Sequence, residues 1–485
     1  MVHPDEQGFL KLAREYDMVP VYEEFLADGE TPVSVLQRFL GHENVFLLES
    51  MEGGERWGRY SFIGVDAKPF LEVDHSNGRT GRLDVLRRIY QGVRVAPVAG
   101  LPRFFGGAVG FLAYESIAEF ERMPLPKPGA GGARPCSRFV QADRLIVFEN
   151  IRHTAKIVVC TWPSASRSAA DVYRAAKASI RAIREAVERP APAVPTGAHP
   201  AVEFGSNMTE PEFCAMVSRA KDYIYAGDVI QVVLSQRFHA ESAVPAFQIY
   251  RALRFLNPSP YTFFLKLGDR TLVGSSPEVM VRLTGSRAEV RPIAGTRPRG
   301  ETEQRDRELA DELLSNEKEK AEHVMLVDLG RNDLGRLAEN GSVQVTEYMA
   351  IERYSHVMHI VSHVEGLARK GVDAFDVIRA TFPAGTLSGA PKIRAMEIIR
   401  ELEPGPRGVY GGAVGYIGYD GNMDLAITIR TMEIKGGNVA VQAGAGIVFD
   451  SDPAFEYDET CHKARALQKA VALASNGLDL ETGRT

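Results

Sequence analysis

Short apolar runs of strand character, bounded by glycine and proline turns, recur along this chain more often than helical stretches do. A doubly wound parallel sheet needs strands and helices in alternation, and the strands here outnumber that pattern. The chain therefore predicts an α+β fold with large, mostly antiparallel sheets. Clear strand runs are Asn44-Val-Phe-Leu-Leu-Glu-Ser50, Gly106-Gly-Ala-Val-Gly-Phe-Leu-Ala-Tyr114 and Ala155-Lys-Ile-Val-Val-Cys160. Met123-Pro-Leu-Pro-Lys-Pro-Gly-Ala-Gly-Gly132 reads as a surface loop. Helical spacing of Ala, Ile and Val predicts a helix over 169–187. The stretch from Pro190 to Pro200 is too rich in proline for a helix or a central strand, so it is read as a linker. The expected organisation is an N-terminal lobe over 1–188, a linker over 189–204 and a larger region over 205–485. Thr209, with Glu212 three residues on, marks a capped helix start just after the linker.

At 485 residues the chain exceeds the usual size of one domain. Its net charge of −6, with acids and bases interspersed, argues against a nucleic-acid surface. No segment approaches the ~20 apolar residues that span a bilayer, so no membrane partner is expected. The first residues lack the basic start and apolar core of a secretory signal. Four scattered cysteines without a CxxC pair fit reduced thiols in a cytoplasmic protein.

Two pairs of glutamates stand at a spacing of three, Glu319 with Glu322 and Glu456 with Glu459. Each pair sits in a segment that reads as a helix, so its two carboxylates share a face. Asp452-Pro453 is a helix start with proline in the first turn, and Asn476-Gly477 is a stop. Thr460, Ala464, Leu467 and Val471 form the apolar stripe between them. Four carboxylates converging on one point need a cation, and hard oxygen donors suit Mg²⁺. The plain alternative is two solvated helix faces.

Pro292–Gly300, Phe382–Lys392 and Val441–Ile447 are glycine-containing turns beside strands, where backbone N–H groups can approach an anion closely. No phosphate-loop or dinucleotide fingerprint is present. Arg430 lies in the apolar run Ile427-Thr-Ile-Arg-Thr431, and Lys463 lies one turn beyond Glu459. Arginine offers a fork for a carboxylate. His359 and His363 alternate as on a strand, ~13 Å apart, too far to chelate one zinc. A single histidine beside an anion pocket serves equally as an acid–base group or as a bonded core residue.

The segments Pro292–Gly300, Glu322–Arg336, Phe382–Arg394, Val409–Tyr416 and Asp452–Ala466 together resemble the chorismate-utilising enzymes, and they cover most of 206–475. The resemblance implies a sandwich of two large, mostly antiparallel sheets flanked by helices, with the active site in a cleft between them. It implies Mg²⁺ held directly by Glu322 and Glu459, and through water by Glu319 and Glu456. It implies that Tyr410 and Arg430 hold the enolpyruvyl carboxylate of chorismate. Thr386, Thr296 and the amides of Gly295, Gly444 and Gly446 match the rest of the substrate pocket, and Lys463 lies in the same cleft. His359 matches the histidine of the pyruvate-elimination step, and Glu278 matches the general-acid glutamate.

Within this family the variable positions point to the anthranilate-forming branch. Members that add water carry a lysine base where this chain has Gln231, which fits ammonia as the nucleophile. Members that make the para-amino product carry a lysine at the position of Ala294. In the N-terminal lobe, Leu47-Leu-Glu-Ser50 matches a tryptophan-binding motif, and Asn257-Pro-Ser-Pro-Tyr261 matches its partner segment. The implied inhibitor residues are Glu49, which together with main-chain carbonyls would accept from the amino-acid ammonium, with Ser50, Asn257, Pro258, Ser259 and Tyr261. The chain carries no cysteine in a glycine-flanked nucleophile turn, so ammonia is expected from a separate glutamine amidotransferase subunit in a hetero-oligomer. The implied activity is conversion of chorismate and ammonia to anthranilate and pyruvate, through aminodeoxyisochorismate, under feedback by L-tryptophan. Rival readings are the para-amino synthase, opposed by Ala294, a silent tryptophan-binding regulator, and a Mg²⁺-dependent hydrolase of another anion. The silent regulator is opposed by retention of all four glutamates, Arg430 and His359. The hydrolase is opposed by Leu47–Ser50 with Asn257–Tyr261.

Overall fold

The computed structural model describes residues 1–50, 59–76, 81–123, 136–164, 166–193, 197–354 and 357–480. The loop expected at Met123–Gly132 lies, apart from Met123, outside the described residues, as do Ser355 and His356.

Among the described residues the strands form one sheet of 13 and one of 10. Their ladders all run antiparallel, the arrangement that the excess of strands over helices predicts. In the larger sheet, strands from the N-terminal part meet those of the C-terminal part where Asn44–Glu49 pairs with Tyr261–Leu267. In the smaller sheet the same junction falls where Gly107–Leu112 pairs with Ala413–Gly418. The proline-rich stretch joins the helix Ala169–Glu188 to the strand Gly205–Ser206. The regions before and after it share both sheets.

Alternation along the strands sorts side chains between two layers. In Asn44–Glu49, Phe46 enters a core with Phe139, Phe263, Leu272 and Val414, drawn from strands of both sheets. Its neighbours Val45 and Leu47 enter the opposite layer with Val172, Ile180, Tyr250 and Leu467, under the helices Ala169–Glu188, Ala246–Leu256 and Pro453–Ser475. Burying a side chain of this size contributes roughly 1.5–3 kcal/mol, so the two layers dominate the stability. Two smaller cores seat the helices nearest the candidate site. Phe213 and Ile399 pack on Val232 and Ala445, and Leu309 and Leu313 pack on Met358 and Ile360. Among the described residues no helix is long and apolar enough to cross a membrane.

Candidate active site

Both glutamate pairs lie in helices, and Asp452 starts the second as the sequence marks. Asn316 caps Glu317–Gly335 by accepting from the Glu319 amide, and Asp452 caps Pro453–Ser475 by accepting from Ala454 and Phe455. The tertiary fold brings the two first turns together. Burial pushes the Glu322 carboxyl up from its ordinary range, and repulsion from Glu319 and Glu459 adds to it, against relief from Gln231 and Lys463. Burial raises Glu456 likewise, with Glu459 adding to it. Lys463 Nζ stands 2.6 Å from Glu459, and Arg297 Nη1 stands 3.2 Å from Glu319. This is a set of hard oxygen donors that repel one another in a partly buried place, and such a set fits a divalent cation. The solvated-face alternative fails for Glu456, which is 5% exposed. Among the described residues, the group of three ligand atoms within 4.8 Å of one another is a different one, Glu289 with His363 and Glu365. The four glutamates are therefore close enough to repel but not closed into a preformed cage.

The smaller sheet supplies His359. Its strand Val357–Leu367 pairs with Ile293–Pro298 in a register that sets Thr296 opposite His359. His359 Nδ1 lies 3.0 Å from both the Gly295 carbonyl oxygen and Thr296 Oγ1. A carbonyl only accepts, so Nδ1 carries the hydrogen and Nε2 keeps its lone pair. Burial lowers the ring to about 4, and Arg430 adds to the lowering while the bond to Gly295 opposes it. At neutral pH His359 is thus a neutral base rather than an acid. Gly295 has φ 64°, and a Cβ there would lie 2.9 Å from Leu313 Cδ1 and 3.1 Å from Glu319 Oε2. Glycine is what lets this turn reach the acid pairs.

Glu278 is buried and accepts from Thr386 Oγ1 at 3.1 Å. Burial pushes its carboxyl up to about 8, against the bond from Thr386, the charge of Arg430 and the Ile293 amide. Arg430 has φ 48°, a left-handed conformation that costs a side-chain-bearing residue energy and recurs at functional sites. Its carbonyl accepts from Ser275 N at 3.1 Å.

The larger sheet supplies the opposite wall. Strand Gln231–Glu241 pairs with Asn438–Ile447, setting Ser235 opposite Gly444 and Val233 opposite Gly446. The absence of side chains there is used. A Cβ at Gly444 would stand 2.6 Å from the Tyr410 hydroxyl, and one at Gly446 2.5 Å from Gln231 Nε2. Lys463 Nζ donates to the Gly444 carbonyl at 2.9 Å. Gln231 Nε2 donates to Glu322 Oε1 at 3.2 Å, while Gln231 Oε1 is buried without a hydrogen-bond partner. Of the expected catalytic, substrate and metal residues, all are thus linked by contact or by charge across the two sheets.

The second expected set is only partly assembled. A cavity of about 1340 Å³ is lined by Leu48, Glu49, Ser50, Pro260, Tyr261 and Tyr416, with further charged residues beyond them. Tyr261 donates to Asp424 at 2.9 Å and accepts from Arg282 at 3.0 Å. Asn257, Pro258 and Ser259 do not line it. Asn257 offers its carbonyl to Ser275 Oγ, and Ser259 is 2% exposed. Of the expected ammonium acceptors, the Glu49 carboxylate is already engaged by protein donors. Alternation turns its side chain to the helix layer, where Tyr250 and Arg254 Nε (2.9 Å) both donate to it. Glu49 still lines the cavity beside Ser50.

One group escaped the sequence reading. Glu403 and Arg407 stand at a spacing of four beside Pro404 and Pro406, yet form a fully buried ion pair under Tyr410. The only sequence signal was an acid and a base at helical spacing, which usually marks a surface.

Paired acids, a neutral histidine, a buried acid and an arginine, set between two antiparallel sheets, make up a site of the enzyme kind. The chain belongs to the chorismate binding enzyme family, whose model matches residues 43–469. It is similar to anthranilate synthase component 1 of Pseudomonas putida, 45% identical over 97% of this chain and 99% of that protein. The crystal structure of anthranilate synthase component I from Streptococcus pneumoniae superposes with a TM-score of 0.76 at 39% identity, covering 86% of this chain and 93% of that one. The menaquinone-specific isochorismate synthase of Escherichia coli shares the fold, with a TM-score of 0.71 at 19% identity over 96% of this chain and 98% of that one.

Proposed function

We propose that this chain is the chorismate-binding subunit of an anthranilate synthase, a lyase that forms anthranilate and pyruvate from chorismate and ammonia at the first committed step of tryptophan biosynthesis. The observation that carries this reading is Gln231. An amide cannot deprotonate water, so a water-adding reaction lacks its base here. Ammonia needs no base and is a hydrogen-bond donor, and the unpartnered Gln231 Oε1 beside Glu322 is an acceptor for it. Ala294, where the para-amino enzymes carry lysine, supports the ortho product.

In this reading Tyr410 and Arg430 bind the enolpyruvyl carboxylate, and Lys463 with the Gly444 and Gly446 strand flanks the ring. Glu322 and Glu459 would hold Mg²⁺ directly, with Glu319 and Glu456 behind water. When bound, the ion supplies Lewis-acid stabilisation of the ring carboxylate. Glu278, protonated at neutral pH, gives its proton to the departing hydroxyl. Ammonia adds beside the carboxylate carbon with allylic rearrangement as water leaves, and the ammonium so formed returns a proton to the Glu278 carboxylate. His359 Nε2 then takes the ring proton, the C–O bond to the enolpyruvyl group breaks as the ring becomes aromatic, and that proton passes to the departing enolpyruvate to give pyruvate. Fixed charges in a water-poor site supply much of the acceleration.

We further assign the ammonia supply to a glutamine amidotransferase partner in a cytoplasmic hetero-oligomer. The cavity at Ser50 and Tyr261 is assigned to L-tryptophan, with residues 1–188 as the regulatory region. Turnover of chorismate with ammonium salt and Mg²⁺, followed by anthranilate fluorescence with and without L-tryptophan, tests the reading. Fluorescent product suppressed by tryptophan is expected. A para-amino product, or none at high ammonium, overturns the activity. Product without suppression removes the inhibitor site alone.

A further inference from the structure

Arg407 heads the large side chains that are fully buried among the described residues, and it is charged. Isolated in the interior such a cation is very unfavourable, so its bonds carry meaning. It donates from Nε to Glu403 Oε2 at 2.9 Å and from Nη2 to Glu403 Oε1 at 2.6 Å. Its remaining donors leave the ion pair. Nη1 reaches the Leu387 carbonyl at 2.6 Å, and Nη2 also reaches the Val233 carbonyl at 2.7 Å. The guanidinium carbon lies 4.6 Å from the centre of the Tyr114 ring and 5.6 Å from that of Tyr410.

Three of these contacts bear on the site. Leu387 follows Thr386, Val233 is two residues from Gln231, and Tyr410 faces Gly444. Glu403 Oε1 also accepts from Ser235 N at 2.9 Å and Ser235 Oγ at 2.7 Å, on the strand position opposite Gly444. From the N-terminal region, Glu115 accepts from the amides of Arg407 at 2.8 Å and Gly408 at 3.1 Å. The turn that leads into Tyr410 is thus clamped from both halves of the chain.

We propose that Arg407 is a positioning residue, which fixes Tyr410, the Thr386 turn and the Gln231 strand relative to one another without touching substrate. The guanidinium fork is required for this. An ammonium at the same place keeps the charge but cannot hold both Glu403 oxygens and two carbonyls on separate segments. Small misplacements of binding groups cost large factors in rate.

The proposal rests on chorismate binding at this site. The test is Arg407→Lys, measured for chorismate dissociation constant by equilibrium dialysis and for kcat and both KM values. Chorismate affinity is expected to weaken about tenfold and kcat to fall about tenfold, with the KM for ammonium rising alongside because the Gln231 strand is also released, while tryptophan binding stays unchanged. Unaltered chorismate affinity in a folded Arg407→Lys protein overturns the proposal. So does a fall in kcat that only tracks the folded fraction, because that is a purely structural role. Should Arg407→Lys fail to fold, Tyr114→Leu removes the ring under the guanidinium and leaves its hydrogen bonds in place. The same weakening of chorismate binding, at about threefold, is then expected, and wild-type affinity overturns the proposal. A wild-type protein that binds chorismate without forming anthranilate sinks the proposed activity but leaves the dialysis measurement of Arg407 intact.

Discussion

One residue of the site, Glu278, holds a protonation state opposite to its usual one, and this has a pH consequence. Glu278 keeps its proton up to about pH 8 because it is buried. As the acid of the reaction it should impose an alkaline limb, with kcat/KM falling as pH rises through about 8. Glu278→Gln should lower kcat by about 10²-fold or more and abolish that limb, read from anthranilate fluorescence across pH. A limb that survives the substitution assigns it to another group. Gln231 carries the choice of nucleophile. Gln231→Lys places a cation beside Glu322 and removes the acceptor, so ammonia-dependent kcat should drop at least about tenfold. Anthranilate formation at full rate in that variant would take Gln231 out of the mechanism.

At the scale of elements, the acid pairs depend on where two helices begin. Asp452 caps Pro453–Ser475 through two amides of the first turn, just before Glu456. Asp452→Ala should cost about 1 kcal/mol of stability, visible as a lower denaturant midpoint, and should raise the Mg²⁺ concentration needed for half-maximal activity. An unchanged Mg²⁺ dependence would separate the cap from the metal residues. The strand Ile293–Pro298 depends in the same way on Gly295, whose φ of 64° and crowding leave no room for a Cβ. Gly295→Ala should therefore destabilise by about 1–3 kcal/mol and displace either Glu319 or Leu313. The Asp452 cap and the Gly295 turn were both legible in the sequence, since capping residues and glycine turns act through local backbone chemistry.

At the scale of the whole molecule, three buried histidines report on the fold. Burial lowers His75, His323 and His359 to about 4 from an ordinary value of 6.5. Each binds its proton less readily folded than unfolded. The stability they contribute is present above pH 6.5 and is lost as pH falls towards 4. The denaturant midpoint should therefore decline over that window, and a flat profile would mean that these rings stay accessible to protons. Only the shared sheets make this a property of the whole, because His75 lies in the N-terminal part and the other two in the C-terminal part.

The sequence by itself determined the excess of strands, the helix starts, both acid pairs and the glycine turns. Each of these is written in residues near one another along the chain, through capping, periodicity and backbone freedom. Only the tertiary structure decided that residues before and after the linker would share both sheets. It also decided that the Glu49 carboxylate would be engaged by Arg254, and that Glu403 and Arg407 would be buried instead of exposed. A spacing of four is the same on a solvated helix and beneath an active site. Which of the two it becomes depends on the strands that close over it, and those come from distant parts of the chain.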